Sequence, residues 1–405
     1  MAKVKKQKWT KFRHKVVRNI IYFPILFYTR LAYGIKVKKF KEQGKRPYLI
    51  LLNHQTPFDQ FFCGLAFKGP VYYMATEDIF SMGWISKLIK YLLAPIPIKK
   101  QTTDVKAVLN CLRVAKEGGT IAIAPEGNRT YSGKTEYINP SIAPLIKKLK
   151  LPVAIFKIEG GYGVEPRWSD VKRKGKMTAS VTRVIEPENY LELSDSELYK
   201  IVCDELFVNE SETGGFFYHK KRAEYLERLF YVCPQCNSFS NFYSENAKVE
   251  CKKCGKKVEY LPDKRLRGVG FEFPFTTVNE WYEYQKSFVN KINPLNYQNE
   301  PIFTDEITLR EVIPYKKKVV VFKRAKVSLY GDKIVVEGSV ASLNFEFDNV
   351  LAISVLGRNK ANVYIGDKLY QLKGGKRFNA IKFANLYYRY KNYKKGDENE
   401  QFLGL

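Results

Sequence analysis

The sequence predicts an α/β protein: a mixed sheet flanked by helices, followed by a small cysteine-bearing module and a small β-rich domain. Three observations carry this. From Tyr48 to about Pro187 short apolar runs alternate with stretches of helical period. Two Cys-x-x-Cys pairs then follow, Cys233/Cys236 and Cys251/Cys254. The last hundred residues break into short alternating runs separated by turn residues such as Gly331-Asp332 and Gly366-Asp367. A chain of 405 residues has room for two or three cores, and its 45% hydrophobic and 15% aromatic content excludes a mainly disordered protein.

The elements divide the chain into five segments: 1–40, 41–225, 226–262, 263–299 and 300–395. The first is basic. Residues 1–50 hold 15 Lys and Arg against one acid, Glu42. Within them lies the apolar run Val16–Ile35, about as long as a membrane-spanning helix requires. Arg18 and Arg30 interrupt that run, and Pro24 sits in its middle. A helix lying in the membrane interface fits this pattern, with Tyr22, Tyr28 and Tyr33 at the boundary and cations reaching headgroups. An ordinary amphipathic packing helix is the other reading. No small-residue cleavage site follows, so a cleaved signal peptide is not expected. The net charge of +28 points to polyanionic partners: nucleic acid, an anionic membrane or phosphorylated substrates.

In 41–225, strands are expected at Tyr48–Leu52, Val71–Ala75, Ile96–Lys99, Thr120–Ala124, Val153–Ile158 and Thr178–Val184. Helices fall at Pro57–Phe67, Trp84–Leu93, Val105–Lys116 and Ser141–Leu149, and from the capping box Ser194-Asp195-Ser196-Glu197 to about Asn209. A charged helix is expected over Lys220–Phe230 and another over Val278–Ile292, the latter a helical linker within 263–299. Beyond 300, strands are expected at Lys318–Phe322, Lys326–Leu329, Lys333–Glu337, Ser342–Phe347, Ala352–Leu356, Asn362–Ile365 and Lys368–Leu372. A closing helix runs from about Asn379 to Lys391.

Ligands of such sheets bind beyond the carboxyl ends of the strands. The first motif there is Asn53-His54-Gln55-Thr56-Pro57-Phe58-Asp59. Thr56 can cap a helix beginning at Pro57, which puts Asp59 in the first turn and its carboxylate within reach of the His54 ring. A carboxylate that accepts one imidazole N–H fixes the tautomer and raises basicity at the other nitrogen, as a general base requires. An ordinary capped turn would show the same pair. The second motif, Pro125-Glu126-Gly127-Asn128-Arg129-Thr130, ends another strand. Gly127 lets backbone approach a ligand, and Arg129 can grip a phosphate with two parallel hydrogen bonds. Glu126 either orients Arg129 or accepts from an acceptor hydroxyl.

Together the two motifs resemble the glycerolipid acyltransferase family, the lysophosphatidic acid acyltransferases of phospholipid synthesis. Asn53-His54-x-x-x-x-Asp59 matches the family's first motif, and Glu126-Gly127-Asn128-Arg129 is similar to its Glu-Gly-Thr-Arg motif. Ala94-Pro95-Ile96-Pro97-Ile98-Lys99-Lys100 resembles the middle block, and Leu151-Pro152-Val153-Ala154-Ile155 the last. The likeness spans roughly residues 10–210. It implies that His54 is the general base and Asp59 its orienter, with acyl-CoA or acyl carrier protein as donor and a lysophospholipid as acceptor. It also implies a substrate site of Glu126, Gly127, Asn128, Arg129, Lys99 and Lys100. The basic amino-terminal segment and the cysteine usage add the expectation of residence at the cytoplasmic face of the cell membrane as a peripheral or monotopic protein. Asn128 stands where the family has Thr, Lys99 and Lys100 lie where it usually carries Arg, and the last block lacks its second proline.

The two Cys-x-x-Cys pairs are separated by 14 residues, and Gly255 follows the second. Four thiolates at this spacing describe a structural zinc ribbon, with Cys233, Cys236, Cys251 and Cys254 as ligands to Zn2+; a redox dithiol pair or an iron–sulfur site are the alternatives. Cys63, Cys111 and Cys203 stand alone in apolar settings, which suits a reducing compartment. Seven short strands and a final helix resemble a pleckstrin-homology-like (GRAM-like) barrel, by element order alone. The appended modules are expected to bind lipid or a partner protein. A rival reading is a nucleic-acid- or partner-binding zinc-ribbon protein carrying a degenerate acyltransferase fold. Lys248, Lys252, Lys253, Lys256 and Lys257, interleaved with Phe239, Phe242 and Tyr243, would serve it. Nucleic acid is the less expected partner, because it leaves the two catalytic motifs unexplained.

Overall fold

The structure, a computed structural model, describes residues 8–76, 79–98, 104–313, 316 and 318–396. The chain forms two compact units that are not consecutive segments. The first takes in residues up to 129, then 135–161 and 176–208; the second takes in 130–134, 162–175 and everything from 209.

The first unit is built on a seven-stranded mixed sheet: β1 (Ile35–Val37), β2 (Leu49–Leu52), β3 (Val71–Thr76), β4 (Ile96–Ile98), β5 (Thr120–Ile123), β6 (Val153–Glu159) and β7 (Met177–Ile185). Their spatial order is β1-β7-β6-β2-β5-β3-β4, and only the β6–β7 pair is antiparallel. Strand β2 (Leu-Ile-Leu-Leu) is buried on both faces, as an unbroken apolar run in a parallel sheet requires. Helices α1 (Phe12–Tyr33), α2 (Asp59–Ala66), α3 (Trp84–Leu92), α4 (Val105–Lys116), α5 (Ile142–Leu149) and α7 (Asp195–Leu206) belong to this unit; the short turn α6 spans Gly161–Val164. Asp104 caps α4, and α7 opens with the expected Ser194–Glu197 capping box. Leu49, Leu51, Ile121, Ile123, Ile146, Val153 and Ile155 share one core.

Helix α1 buries one narrow face. His14 meets the Tyr72 hydroxyl at 3.1 Å, and Arg18 donates to the Phe67 carbonyl at 2.7 Å. Tyr28 and Tyr33 pack on Phe58, and Tyr33 also on Phe62. The opposite face carries Phe12, Val16, Ile20, Phe23, Phe27 and Leu31, each 40–79% exposed. Their spacing of three and four residues is one continuous helical stripe. Among the described residues no helix is long and apolar enough to cross a membrane.

The second unit contains β8 (Val232–Cys233) paired with β9 (Ser238–Phe239), then a four-stranded meander of β10 (Phe242–Glu245), β11 (Lys248–Cys251), β12 (Lys257–Tyr260) and β13 (Leu266–Gly268). Helix α8 (Val278–Lys291) follows. A seven-stranded antiparallel sheet comes next: β14 (Phe303–Glu311), β15 (Val319–Leu329), β16 (Lys333–Glu337), β17 (Ser342–Glu346), β18 (Val350–Leu356), β19 (Lys360–Ile365) and β20 (Lys368–Gly374). It runs in the order β17-β16-β15-β14-β20-β19-β18, and α9 (Ile381–Lys395) closes the unit. Seven strands and one final helix are the arrangement the sequence suggests.

Three expectations are corrected here. Lys220–Phe230 is not a helix but a series of turns ending in one 3-10 turn, Leu226–Arg228. Tyr225 sits in the left-handed region at φ 74°, its N–H is taken by the Ser244 hydroxyl, and that of Ala223 by the Asn246 carbonyl. The stretch 263–299 is helical where expected but is no free linker. Phe230 stacks on Trp281 at 3.7 Å, and the Gln285 side chain satisfies Tyr231 N–H, Val232 N–H and the Leu229 carbonyl. Finally, the two runs expected at Lys318–Phe322 and Lys326–Leu329 form the single strand β15, and the seventh strand is the unforeseen β14. Asp305 masks the alternation of β14; it is matched by the buried Lys382 ammonium at 2.6 Å.

Candidate active site

Because β2 and β5 are adjacent and parallel, the residues that follow them emerge at the same edge of the sheet. That pairing brings together motifs about seventy residues apart in the chain. Asn53 is wholly buried beyond β2. Its side-chain amide donates to the Ile158 carbonyl and accepts from the Ile158 N–H, both at 2.8 Å, so the start of the loop is pinned to β6. His54 follows with its side chain about a quarter exposed (26%), and its Nδ1 lies 2.7 Å from Asp59 Oδ2.

Asp59 is the first residue of α2 and is buried. The helix starts two residues later than expected, and Thr56 does not cap it in the usual sense. Instead the Asp59 carboxylate gathers the chain in front of it. It accepts from the Gln55 N–H (2.6 Å), the Thr56 N–H (2.9 Å) and the Thr56 hydroxyl (2.7 Å), besides the imidazole. Thr56 Oγ1 in turn accepts from the Phe58 N–H at 3.1 Å. A carboxylate held by so many donors presents a fixed oxygen to His54, so the ring is set with its proton on Nδ1 and Nε2 left basic.

Glu126 is also buried, 5% exposed. Its Oε1 accepts the His54 backbone N–H at 2.8 Å, and its Oε2 accepts the Glu136 N–H at 3.2 Å. Burial pushes its pKa up to about 8, although both N–H donors pull the other way. Gly127 is exposed, at φ 65°, with open space where a Cβ would stand. Asn128 is buried and Arg129 half-buried. Lys99 and Lys100 lie outside the described residues.

Sequence reading missed two supports of this site. Asn53 was noted only as part of a motif. Gly161 was not noted at all, yet a Cβ there would stand 2.6 Å from Gln55 Cβ and 3.1 Å from Thr56 Cγ2. Only glycine lets the chain pass this close behind the His54 loop. The Gly160-Gly161 pair directly after β6 was the available signal.

In the second unit the four cysteine sulfurs lie within 4.8 Å of one another, with Cys233–Cys254 at 3.8 Å and Cys236–Cys251 at 4.0 Å. A tetrahedral ion with Zn–S bonds of 2.3 Å needs sulfur–sulfur edges of about 3.8 Å. The residues after each pair, Asn237 and Gly255, both adopt positive φ, which turns each knuckle back on its sulfurs. Ser238 and Ser240 place hydroxyls 3.2 and 3.0 Å from Cys236 and Cys251 Sγ. The four residues fit a metal ion.

An imidazole backed by a buried carboxylate, at the carboxyl edge of a mixed sheet, defines an α/β domain equipped to hold a general base. Residues 34–156 match the family model described as Acyltransferase. Among solved structures the chain is similar to the 1-acyl-sn-glycerophosphate (LPA) acyltransferase PlsC from Thermotoga maritima. The identity is 21% over 49% of this chain and 80% of that one, with a TM-score of 0.39. No curated protein matches the chain.

Proposed function

We propose that this protein is a membrane-associated O-acyltransferase that moves a fatty acyl group from acyl-CoA or acyl carrier protein to the hydroxyl of lysophosphatidate or a related lysophospholipid. The observation that carries the reading is the 2.7 Å bond from His54 Nδ1 to Asp59 Oδ2 beneath a partly exposed ring. His54 Nε2 takes the proton of the acceptor hydroxyl as its oxygen attacks the thioester carbonyl. The tetrahedral intermediate collapses, the C–S bond breaks, and the imidazolium returns the proton to the leaving thiolate. The proton balance closes without a covalent acyl-enzyme. Gly127 and Arg129 are the groups suited to an acceptor phosphate, the one by open backbone and the other by its guanidinium.

Membrane association is supported by the stripe on α1 and by a second exposed apolar set on α3, Trp84, Leu88 and Tyr91. Arg13 joins the two helices, donating to the Tyr91 carbonyl at 2.8 Å and lying over its ring. Apolar side chains beside Arg13, Lys15, Lys87 and Lys90 suit an anionic bilayer surface. The cysteine cluster is read as structural Zn2+, since four thiolates leave no open position for substrate.

The test is transfer of radiolabelled acyl groups from acyl-CoA or acyl carrier protein to a panel of lyso-acceptors by the full chain, with His54→Ala as control. Transfer that vanishes in the variant is expected. Absence of transfer to every acceptor, or equal transfer by His54→Ala, would sink the proposal.

A further inference from the structure

We infer that Glu126 is a positioning residue: its buried carboxylate clamps the backbone of the base-bearing loop to that of the acceptor loop and does not touch the substrate. The inference rests on the acyl-transfer reading above and refines the role of one residue within it.

Three observations carry it. Both carboxylate oxygens are already committed, one to the His54 N–H and one to the Glu136 N–H, at 2.8 and 3.2 Å. These donors lie on two different stretches of chain, one after β2 and one beyond the Glu126–Arg129 turn, and a single side chain closes both. The carboxyl is turned away from solvent, 5% exposed, whereas its neighbour Gly127 is open. A ligand for the acceptor would face the other way.

The chemistry agrees. Aimed at a phosphate, an ionised carboxylate would repel it and a protonated one would bring it no positive charge, so a glutamate beside Arg129 is a poor phosphate ligand. The site does, however, need two acceptors for two backbone donors. Ionised or protonated, a carboxyl keeps an acceptor lone pair on each oxygen, but the amide of glutamine offers one oxygen and one NH2 group. Glutamate is therefore required where glutamine would leave one N–H facing another. Burial raises the carboxyl's proton affinity, a further sign that the group is spent inside the fold. Through the His54 N–H the clamp fixes the loop whose ring takes the hydroxyl proton. Misplacement by about 1 Å in such a geometry costs about 100-fold in rate.

The experiment compares wild type with E126Q in the full chain, with two readouts. Steady-state transfer to a lyso-acceptor should show kcat lowered about 100-fold while the acceptor KM changes by less than about twofold. Residue-resolved amide exchange should show the His54 N–H protected in wild type and exchanging faster in E126Q. A raised acceptor KM with kcat retained would make Glu126 a substrate ligand and overturn the inference, as would unchanged kinetics. Should E126Q not fold, wild type alone decides: a His54 amide that exchanges as fast as an unprotected loop overturns the clamp. If wild type transfers to no acceptor, the acyl-transfer reading fails, and the exchange comparison still supports or overturns the clamp by itself.

Discussion

At the scale of residues, the site depends on acceptors more than on donors. Asp59 takes N–H and O–H groups from Gln55, Thr56 and His54 with two oxygens. Asp59→Asn keeps the shape but puts an NH2 where a donor already points, which frees the ring to flip and carries its proton to the wrong nitrogen. Transfer should fall about 10³-fold with the melting temperature little changed; a smaller loss than tenfold would remove Asp59 from the mechanism. Glu126 makes a separate prediction. Its pKa is raised from 4.5 to about 8, so between these values the native protein holds a proton that the unfolded chain has released. Stability must then fall as pH rises through that window, and E126Q should flatten the slope. Urea unfolding at pH 5 and pH 8 measures it, and identical slopes would contradict the assignment.

At the scale of elements, α1 presents two unlike faces. Its buried face is fastened by His14, Arg18, Thr29 and Tyr33, and its other face is apolar and exposed. Each such side chain contributes about 1.5–3 kcal/mol when it leaves water. Phe23→Glu combined with Phe27→Glu should cut co-sedimentation with anionic vesicles by more than about tenfold, because the variant loses that transfer and gains repulsion. Unchanged binding would assign the stripe to another partner. The cysteine knuckles make the second prediction at this scale. Purified protein should carry one zinc per chain, and Cys251→Ser should lose it together with the cooperative melting of the second unit. A metal-free protein with unaltered melting would exclude a structural zinc.

At the scale of the whole molecule, the sequence revealed elements better than their boundaries of use. Fully apolar strands such as Leu49–Leu52 and capped helices such as Asp195–Leu206 were legible because local pattern and tertiary role coincide there. The His54–Asp59 pair was legible from motif and spacing. Gly161 was not, because its role is set by the loop that passes it, over a hundred residues earlier in the chain. Strand β14 was hidden by Asp305, whose partner Lys382 lies on the closing helix, also far along the chain. The tie of 162–175 into the second unit was hidden for the same reason. Trp168 packs on Tyr260 at 5.7 Å, Arg228 holds the Trp168 carbonyl and Asp170, and Arg167 donates to the carbonyls of Val355 and Gly357. A fragment of residues 209–405 lacks Arg167, Trp168 and Asp170 and therefore every one of these contacts. It should melt non-cooperatively or at a markedly lower temperature than the same unit within the full chain; equal melting would show that 130–134 and 162–175 are dispensable.

The chain crosses from one unit to the other five times, after residues 129, 134, 161, 175 and 208. A domain joined by one linker can be moved between genes by a single recombination. This one cannot, because no single break leaves both units whole. The two units are therefore one heritable piece. A relative that lacks the second unit has to close the gaps at 129–135 and 161–176 with loops of its own.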